Sequence, residues 1–181
     1  IECRVFHGVS ITTIVTGAVG LSNYRFGRQT TLTYPYGDWI ATSPLEMIAV
    51  NKFRGLHSLV LFDLDPTGQG TGDQRPMKPN DAKRSMELMW STLDERLKQF
   101  TDPPESTLIA VQEATFKAFL LQDMDELPVV LCSDMGTQDQ KIILTTLGGL
   151  ENLDGGRLNC LLVPAWTSEV EDKALLRWKL E

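Results

Sequence analysis

Histidine and cysteine are scarce in this chain. It has two histidines, His7 and His57, and three cysteines, Cys3, Cys132 and Cys160, among 181 residues. The cysteines stand far apart with no CxxC pair, which argues against both a zinc site and a disulfide framework and leaves buried thiols in reducing surroundings as the expectation. Two histidines are too few for a metal cluster, and no Ser/His/Asp arrangement can be read from spacing. No run of about 18 apolar residues is present, so no membrane span is indicated. Residues Ile1 to Phe6 lack the basic region leading into a long apolar stretch that marks a signal peptide. Basic residues are in deficit: 17 Lys and Arg against 24 Asp and Glu give a formal charge of −7. Non-specific nucleic-acid binding needs a basic face, so that class is disfavoured, whereas a basic protein partner is compatible with the charge. A phosphate-cradling fingerprint is also missing. Gly68-Gln69-Gly70-Thr71-Gly72 follows a predicted strand, but no helix opens directly after it and Pro76 and Pro79 intervene. The helix N-terminus that would meet an anion is therefore absent, and the segment reads as a loop.

What is present is ordinary for a globular protein: 42% hydrophobic and 23% charged residues, in a chain long enough for one sizeable core. Strand and helix patterns alternate, the signature of an α/β domain. Residues 1–6 read as a short strand. Ser10 caps a helix from Ile11 with Ile14, Val15, Ala18 and Val19 as apolar positions, and Gly20 lies at its end. Residues 29–33 are rich in β-branched side chains and read as a strand. Ser43, Pro44 and Glu46 form a capping box with proline at the first helical position, and Gly55 ends that helix. The apolar run from His57 to Asp65 predicts a strand covered on both faces. Residues 66–80 read as a long loop. Asn80 is expected to cap a helix with Ala82, Met86, Met89, Leu93 and Leu97 on one face. Asp102, Pro103, Pro104 and Glu105 are expected to start another, running to about Gln122. Val129 to Cys132 reads as a buried strand. Thr137 and Gln140 predict a capping box opening a helix that buries Ile143, Leu147 and Leu150. Leu158 to Val163 is the last strand, and Ser168 with Glu171 caps the last helix, which carries Val170, Ala174, Leu175 and Trp178.

Four segments carry a resemblance. They are His7-Gly8-Val9-Ser10-Ile11 with Gly20-Leu21 and Tyr24-Arg25-Phe26-Gly27; Gly55-Leu56-His57 leading into Ser58-Leu59-Val60-Leu61-Phe62-Asp63; Met135-Gly136 followed by Asp139-Gln140-Lys141-Ile142; and Leu158-Asn159-Cys160-Leu161-Leu162-Val163-Pro164. In this order and at these intervals the set resembles the C-terminal portion of the diphthine synthases, of the tetrapyrrole methylase superfamily. The third segment is similar to that family's turn into a helix. The resemblance implies a tetrapyrrole-methylase-like α/β fold, mostly the second α/β domain, with helices flanking a mixed sheet. Residues 1–8 would be the end of an N-terminal domain and residues 9–181 the C-terminal methyltransferase domain. The activity implied is S-adenosylmethionine-dependent methylation of the 3-amino-3-carboxypropyl-histidine of elongation factor 2, in diphthamide biosynthesis. S-adenosyl-L-methionine would lie in a cleft between two domains. Elongation factor 2 is the implied protein substrate, a homodimer the implied assembly and the cytoplasm the implied location. The family's glycine-rich opening strand and its later Gly-Asp segment have no counterpart here, so these residues alone are expected to be inactive.

Carried over by position, the implied cofactor contacts are Ser10, Ile11, Phe62, Met135 and Asn159. Ser10 opens a helix, where free N–H groups can hold a carboxylate or ribose oxygen. Its plain alternative is a helix cap. Phe62 and Met135 stand at the ends of apolar strands, where α/β sheets place ligands and apolar side chains could sandwich an adenine. Without the resemblance both read as core. Asn159 departs from the histidine common in the family. No catalytic residue is assigned, because methyl transfer from a sulfonium to an amine is mostly positioning. Asp63, Asp65 and Asp134 are the acids nearest the strand ends, available to a proton or an ammonium group, or simply solvated. Two other readings stay open: a tetrapyrrole-type methylase acting on a corrin precursor or an RNA ribose, and a non-catalytic domain for protein binding or dimerisation.

Overall fold

The computed structural model describes residues 10–64, 75–99 and 104–179. The expected strand at 1–6, Cys3, His7, the domain end at 1–8, Asp65, the Gly68–Gly72 segment, Asp102 and Pro103 lie outside the described residues. Helix α1 (Ile11–Ala18) starts where its cap predicts, with the Ser10 hydroxyl accepting from the Thr12 N–H at 3.3 Å. Strand β1 (Thr30–Leu32) and helix α2 (Ser43–Phe53) follow, then β2 (Ser58–Phe62), α3 (Pro79–Gln99) and α4 (Thr107–Leu120). Strands β3 (Pro128–Ser133), β4 (Lys141–Thr146) and β5 (Asn159–Val163) precede α5 (Glu169–Leu176), with short 3₁₀ turns at Asn23–Arg25 and Gly148–Asn152.

The five strands form one sheet in the order β1-β2-β5-β3-β4. Among these described strands β1 and β2 are parallel, with Thr31 opposite Leu61, and the other neighbours are antiparallel. The side-chain period of two divides each strand between two cores. Leu32, Val60, Phe62, Val129, Leu131 and Leu161 join α2, α3 and α4 on one face. Leu59, Val130, Cys132, Cys160 and Leu162 meet Val15 of α1 and Leu175 of α5 on the other. This is the mixed sheet flanked by helices that the resemblance implies.

One element differs in kind. The helix expected after Thr137 is β4, paired along its whole length with β3 from Ser133↔Lys141 to Pro128↔Thr146. Ile142, Ile143, Thr145 and Thr146 are β-branched and suit a pleated surface, and β3 without β4 would present a row of unpaired backbone groups at the sheet edge. The capping signal serves a turn instead: Gln140 Oε1 accepts from Gly136 N at 3.2 Å, and the Thr137 hydroxyl donates to Asp134 O at 2.8 Å. Leu147 and Leu150 are still buried, through the 3₁₀ turn.

Three helix starts shift. The cap position of α2 is Thr42, not Ser43; its hydroxyl donates to Glu46 Oε1 at 2.6 Å, and Arg96 joins both groups. Helix α3 begins at Pro79, so Asn80 is helical, and Asp81 Oδ2 accepts from Lys78 N at 3.2 Å. Helix α4 is capped by Ser106 rather than near Asp102, its hydroxyl accepting from Ile109 N at 3.3 Å. Helix α5 has the predicted capping box, although Val170 points outward.

Candidate functional site

The C-terminal ends of β2 and β3 and the N-terminal end of β5 share one edge of the sheet, because Leu61 lies opposite Cys160 and Ser133 opposite Asn159. That edge gathers Phe62, Met135 and Asn159. Helix α1 reaches it as well. Ile11 and Met135 pack half-exposed on the same core, and a Cβ at Gly136 would lie 3.2 Å from Ile14 Cδ1. Ser10 is exposed at the helix start, its hydroxyl 2.9 Å from that of Thr12. Phe62 is only 6% exposed and belongs to the core on the other face. The side chains of Phe62 and Met135 therefore point to opposite sides of the sheet and cannot sandwich one ring in this arrangement.

Polar side chains at this edge are spent on the chain itself. Asp134 Oδ1 accepts from Leu158 N at 2.9 Å and Oδ2 from Arg157 N at 3.0 Å. The Leu158 N–H is the main reason that the carboxyl titrates below its usual range; burial opposes this, and the Arg157 N–H, Lys78 and the Arg157 side chain add to it. Asp134 adopts a left-handed backbone, φ +48, and donates its own N–H to Leu158 O at 2.8 Å. Each of its two carboxylate oxygens is thus engaged by a backbone N–H group. The Asn159 amide is saturated: Oδ1 accepts from Ser133 Oγ and Gly156 N, both at 2.8 Å, and Nδ2 donates to Met77 O and Gly156 O, both at 3.2 Å. Gly156 has no room for a side chain, since a Cβ would stand 2.2 Å from Asp134 Oδ2. Asp63 also ties segments together, its carbonyl accepting from Met77 N at 2.9 Å and its carboxylate from Leu64 N at 2.8 Å.

A second polar cluster lies at the other end of the sheet, where β2 begins and β5 finishes. Glu171, 4% exposed, accepts through Oε1 from Ser22 N (3.0 Å) and His57 Nε2 (3.1 Å). Through Oε2 it accepts from Arg25 Nη1 and Ser168 N, both at 2.8 Å, and from the Ser168 hydroxyl at 3.0 Å. Burial would raise the pKa of this carboxyl, but the donors from Ser168, Ser22 and His57 outweigh it and hold it down at about 2. His57 is fully buried, and burial lowers its pKa against the pull of Glu171, so at neutral pH it is a neutral imidazole. Its Nδ1 accepts from Ala165 N at 3.0 Å, which assigns the proton to Nε2. Arg25 also donates to the carbonyls of Gly55 and Trp166. Two of the segments behind the resemblance, around Arg25 and His57, thus meet at a structural junction away from Met135 and Asn159. Sequence reasoning read Glu171 only as a cap; the carboxylate's second set of partners is remote in the chain and leaves no local signal.

Two shallow depressions, of about 330 and about 400 Å³, lie beside α5 and include none of the five candidate residues. Among the described residues no group of three or more His, Cys, Asp or Glu could hold a metal ion, and no helix is long and apolar enough to cross a membrane.

No family model matches the chain. It is similar to a diphthine synthase of Methanocorpusculum labreanum, 34% identical over 124 residues, covering 66% of this chain and 47% of that protein. It is similar to one of Halorubrum lacusprofundi, 28% identical over 180 residues, covering 97% of this chain and 57% of that protein. A crystal structure of diphthine synthase matches 97% of this chain and 54% of its own with a TM-score of 0.65 at 23% identity, which shows the fold. The chain spans about half the length of the curated relatives it matches. The resemblance to the diphthine synthases and the expected α/β fold, a mixed sheet flanked by helices, are both borne out, and the partial coverage of the relatives fits a C-terminal portion.

Proposed function

We propose that this chain is the C-terminal part of an S-adenosylmethionine-dependent methyltransferase of diphthamide biosynthesis. The supporting observation is similarity to diphthine synthases along 97% of its length, on the matching fold. Residues 9–181 form its C-terminal methyltransferase domain. The substrate is the 3-amino-3-carboxypropyl-histidine of elongation factor 2, the setting is the cytoplasm, and the enzyme works as a homodimer.

The residues present suit the cofactor. The start of α1 carries no acidic residue and leads with exposed Ser10, so its positive end suits a carboxylate or ribose oxygen, although the Thr12 N–H is already taken by the Ser10 hydroxyl. Ile11 and Met135 offer half-exposed apolar surface for a base. Phe62 and Asn159 contribute through the strand-end main chain, because the first side chain is core and the second is saturated. When bound, S-adenosylmethionine supplies a methyl group already activated on a sulfonium. This chain's task is then to orient the cofactor, exclude water and hold the acceptor amine in line. No residue here need move a proton during transfer, provided that the amine arrives unprotonated.

The test uses the longest chain that the gene encodes. Labelled S-adenosylmethionine is supplied with elongation factor 2 carrying the amino-carboxypropyl histidine, and label on that residue is expected. Transfer to a corrin precursor or an RNA ribose instead, or no cofactor binding in calorimetry, would refute the reading. Residues 1–181 alone should bind the cofactor at least about tenfold more weakly, because much of the ligand's buried surface would be missing.

A further inference from the structure

We infer that Asp134 is a positioning residue of the cofactor edge, its carboxylate locking residues 156–158 against the end of β3 so that the main chain at Met135 and Asn159 is presented in one fixed arrangement. This deepens the functional reading above and rests on it. The two oxygens of Asp134 close on two successive backbone N–H groups, Arg157 and Leu158, while its own N–H returns to Leu158 O. Three hydrogen bonds thus join one residue to one short segment across the sheet edge.

The surrounding groups complete the lock. Asn159 ties Ser133, Gly156 and Met77 together, and Lys78 Nζ donates to Gly156 O at 2.7 Å. Glycines at 155 and 156 permit this approach. Gly155 has φ +65, and a Cβ there would lie 2.7 Å from Asn159 Oδ1; a Cβ at Gly156 would collide with Asp134 itself. The left-handed backbone at residue 134 costs free energy in a non-glycine residue. It aims the carboxylate at 157–158 and turns the chain toward Met135 and Gly136, where α1 approaches. With both oxygens on backbone amides, the carboxylate controls where the neighbouring main chain stands. A ligand read largely by strand-end main chain is sensitive to such control, because displacements well under 1 Å matter in positioning.

The test compares Asp134→Gly and Asp134→Asn in the longest chain that the gene encodes. Glycine keeps the left-handed backbone and removes both acceptors. Asparagine tolerates that backbone and keeps one acceptor. Asp134→Gly is expected to raise the S-adenosylmethionine Kd and KM about tenfold, with kcat at saturation within about twofold of wild type. Asp134→Asn should recover part of that loss. Faster hydrogen exchange at Arg157 and Leu158 should accompany the change. Wild-type binding with an unchanged Kd in folded Asp134→Gly would overturn this inference alone, even if the melting temperature fell. Failure of the wild type to bind the cofactor would overturn the functional reading and this inference with it. Should the glycine variant not fold, the asparagine variant decides by the same split between KM and kcat, an unchanged KM overturning the inference.

Discussion

Where β2 begins and β5 finishes, Glu171 draws five donors from Ser22, Arg25, His57 and Ser168 and is almost wholly shielded from water. At the opposite end of the same sheet, the Asp134 carboxylate accepts two backbone N–H groups and the Asn159 amide is saturated, but both residues stay only partly buried and their partners are mostly backbone. The first arrangement binds distant segments of one chain around a buried carboxylate and a buried imidazole, with Arg25 partly buried and Ser168 exposed at its rim. The second fixes the positions of main-chain atoms while Ile11 and Met135 remain partly open. Arg25 and His57 lie in segments that resemble a methyltransferase family, yet their geometry speaks for folding. A segment that carries a resemblance can mark a joint as readily as a binding surface, and here burial tells the two apart.

The largest expected effect tests the buried end. Glu171→Ala removes the carboxylate from His57 and Arg25 and leaves buried donors unpaired, at a cost of about 3–5 kcal/mol of stability. Urea denaturation measures it, and cofactor affinity per folded molecule should not change. A loss of affinity with stability intact would erase the contrast between the two ends. The pH dependence has a definite sign. His57 and Glu171 both have folded pKa values below their ordinary 6.5 and 4.5, so in each case the unfolded chain takes up protons first on acidification. Stability is therefore fully present above those values. It falls first as pH drops below 6.5, then again from 4.5 toward about 2. Glu171→Gln should flatten the lower part of that curve.

Phe62 blurs the contrast and so sharpens it. By position it ends β2 at the candidate edge; by packing it is core. Phe62→Ala should cost about 3–5 kcal/mol, toward the lower figure because the residue sits at a strand end. Thermal and urea unfolding would measure that cost. If instead affinity falls while stability holds, the side chain faces the ligand and the packing argument is wrong.

The helices with periodic apolar faces were legible, and so were the buried strands. Ala82, Met86, Met89, Leu93 and Leu97 are all buried on α3 as their spacing predicts, and Ser168 with Glu171 forms the capping box of α5. Failure came where local and long-range signals conflict. Thr137 and Gln140 have capping spacing, but the β-branched residues after them pair with β3, and sheet pairing between distant residues leaves no trace in a helical window. The candidate edge was legible only through resemblance. No local pattern shows that Asp134 meets residues 157 and 158, or that Asn159 is saturated, since these bonds depend on how β3 and β5 are aligned. Asn159→Leu tests the latter. It leaves the buried Ser133 hydroxyl and the N–H of Gly156 without their partner, at a cost of about 1–3 kcal/mol. Asn159→His, restoring one donor and one acceptor, should cost less in the same denaturation experiment. Losses near zero in both variants would mean that the amide's bonds contribute little.

Met135→Ala should have the smallest effect on stability and the clearest on binding. The side chain is half-exposed on the core shared by α1 and α5, so truncation removes only part of the apolar contact that a buried methionine makes. Full burial would put the loss at roughly 2–5 kcal/mol, and at half exposure about 1 kcal/mol is expected. The turn holding the residue does not depend on its side chain: Gln140 bonds to Gly136, and Thr137 to Asp134. If Met135 presents apolar surface to the adenosyl group, removing that surface should raise the S-adenosylmethionine Kd by about fivefold or more, since each buried methylene contributes about 0.8 kcal/mol. Met135→Leu, with nearly the same volume, should recover most of it. Glu171→Ala predicts the reverse pattern, a large loss of stability without a change in affinity, so the two variants measured side by side form a crossed test. If Met135→Ala lowers stability and leaves Kd unchanged, the edge at β3 is only another part of the core, and the cofactor must be sought elsewhere on the domain.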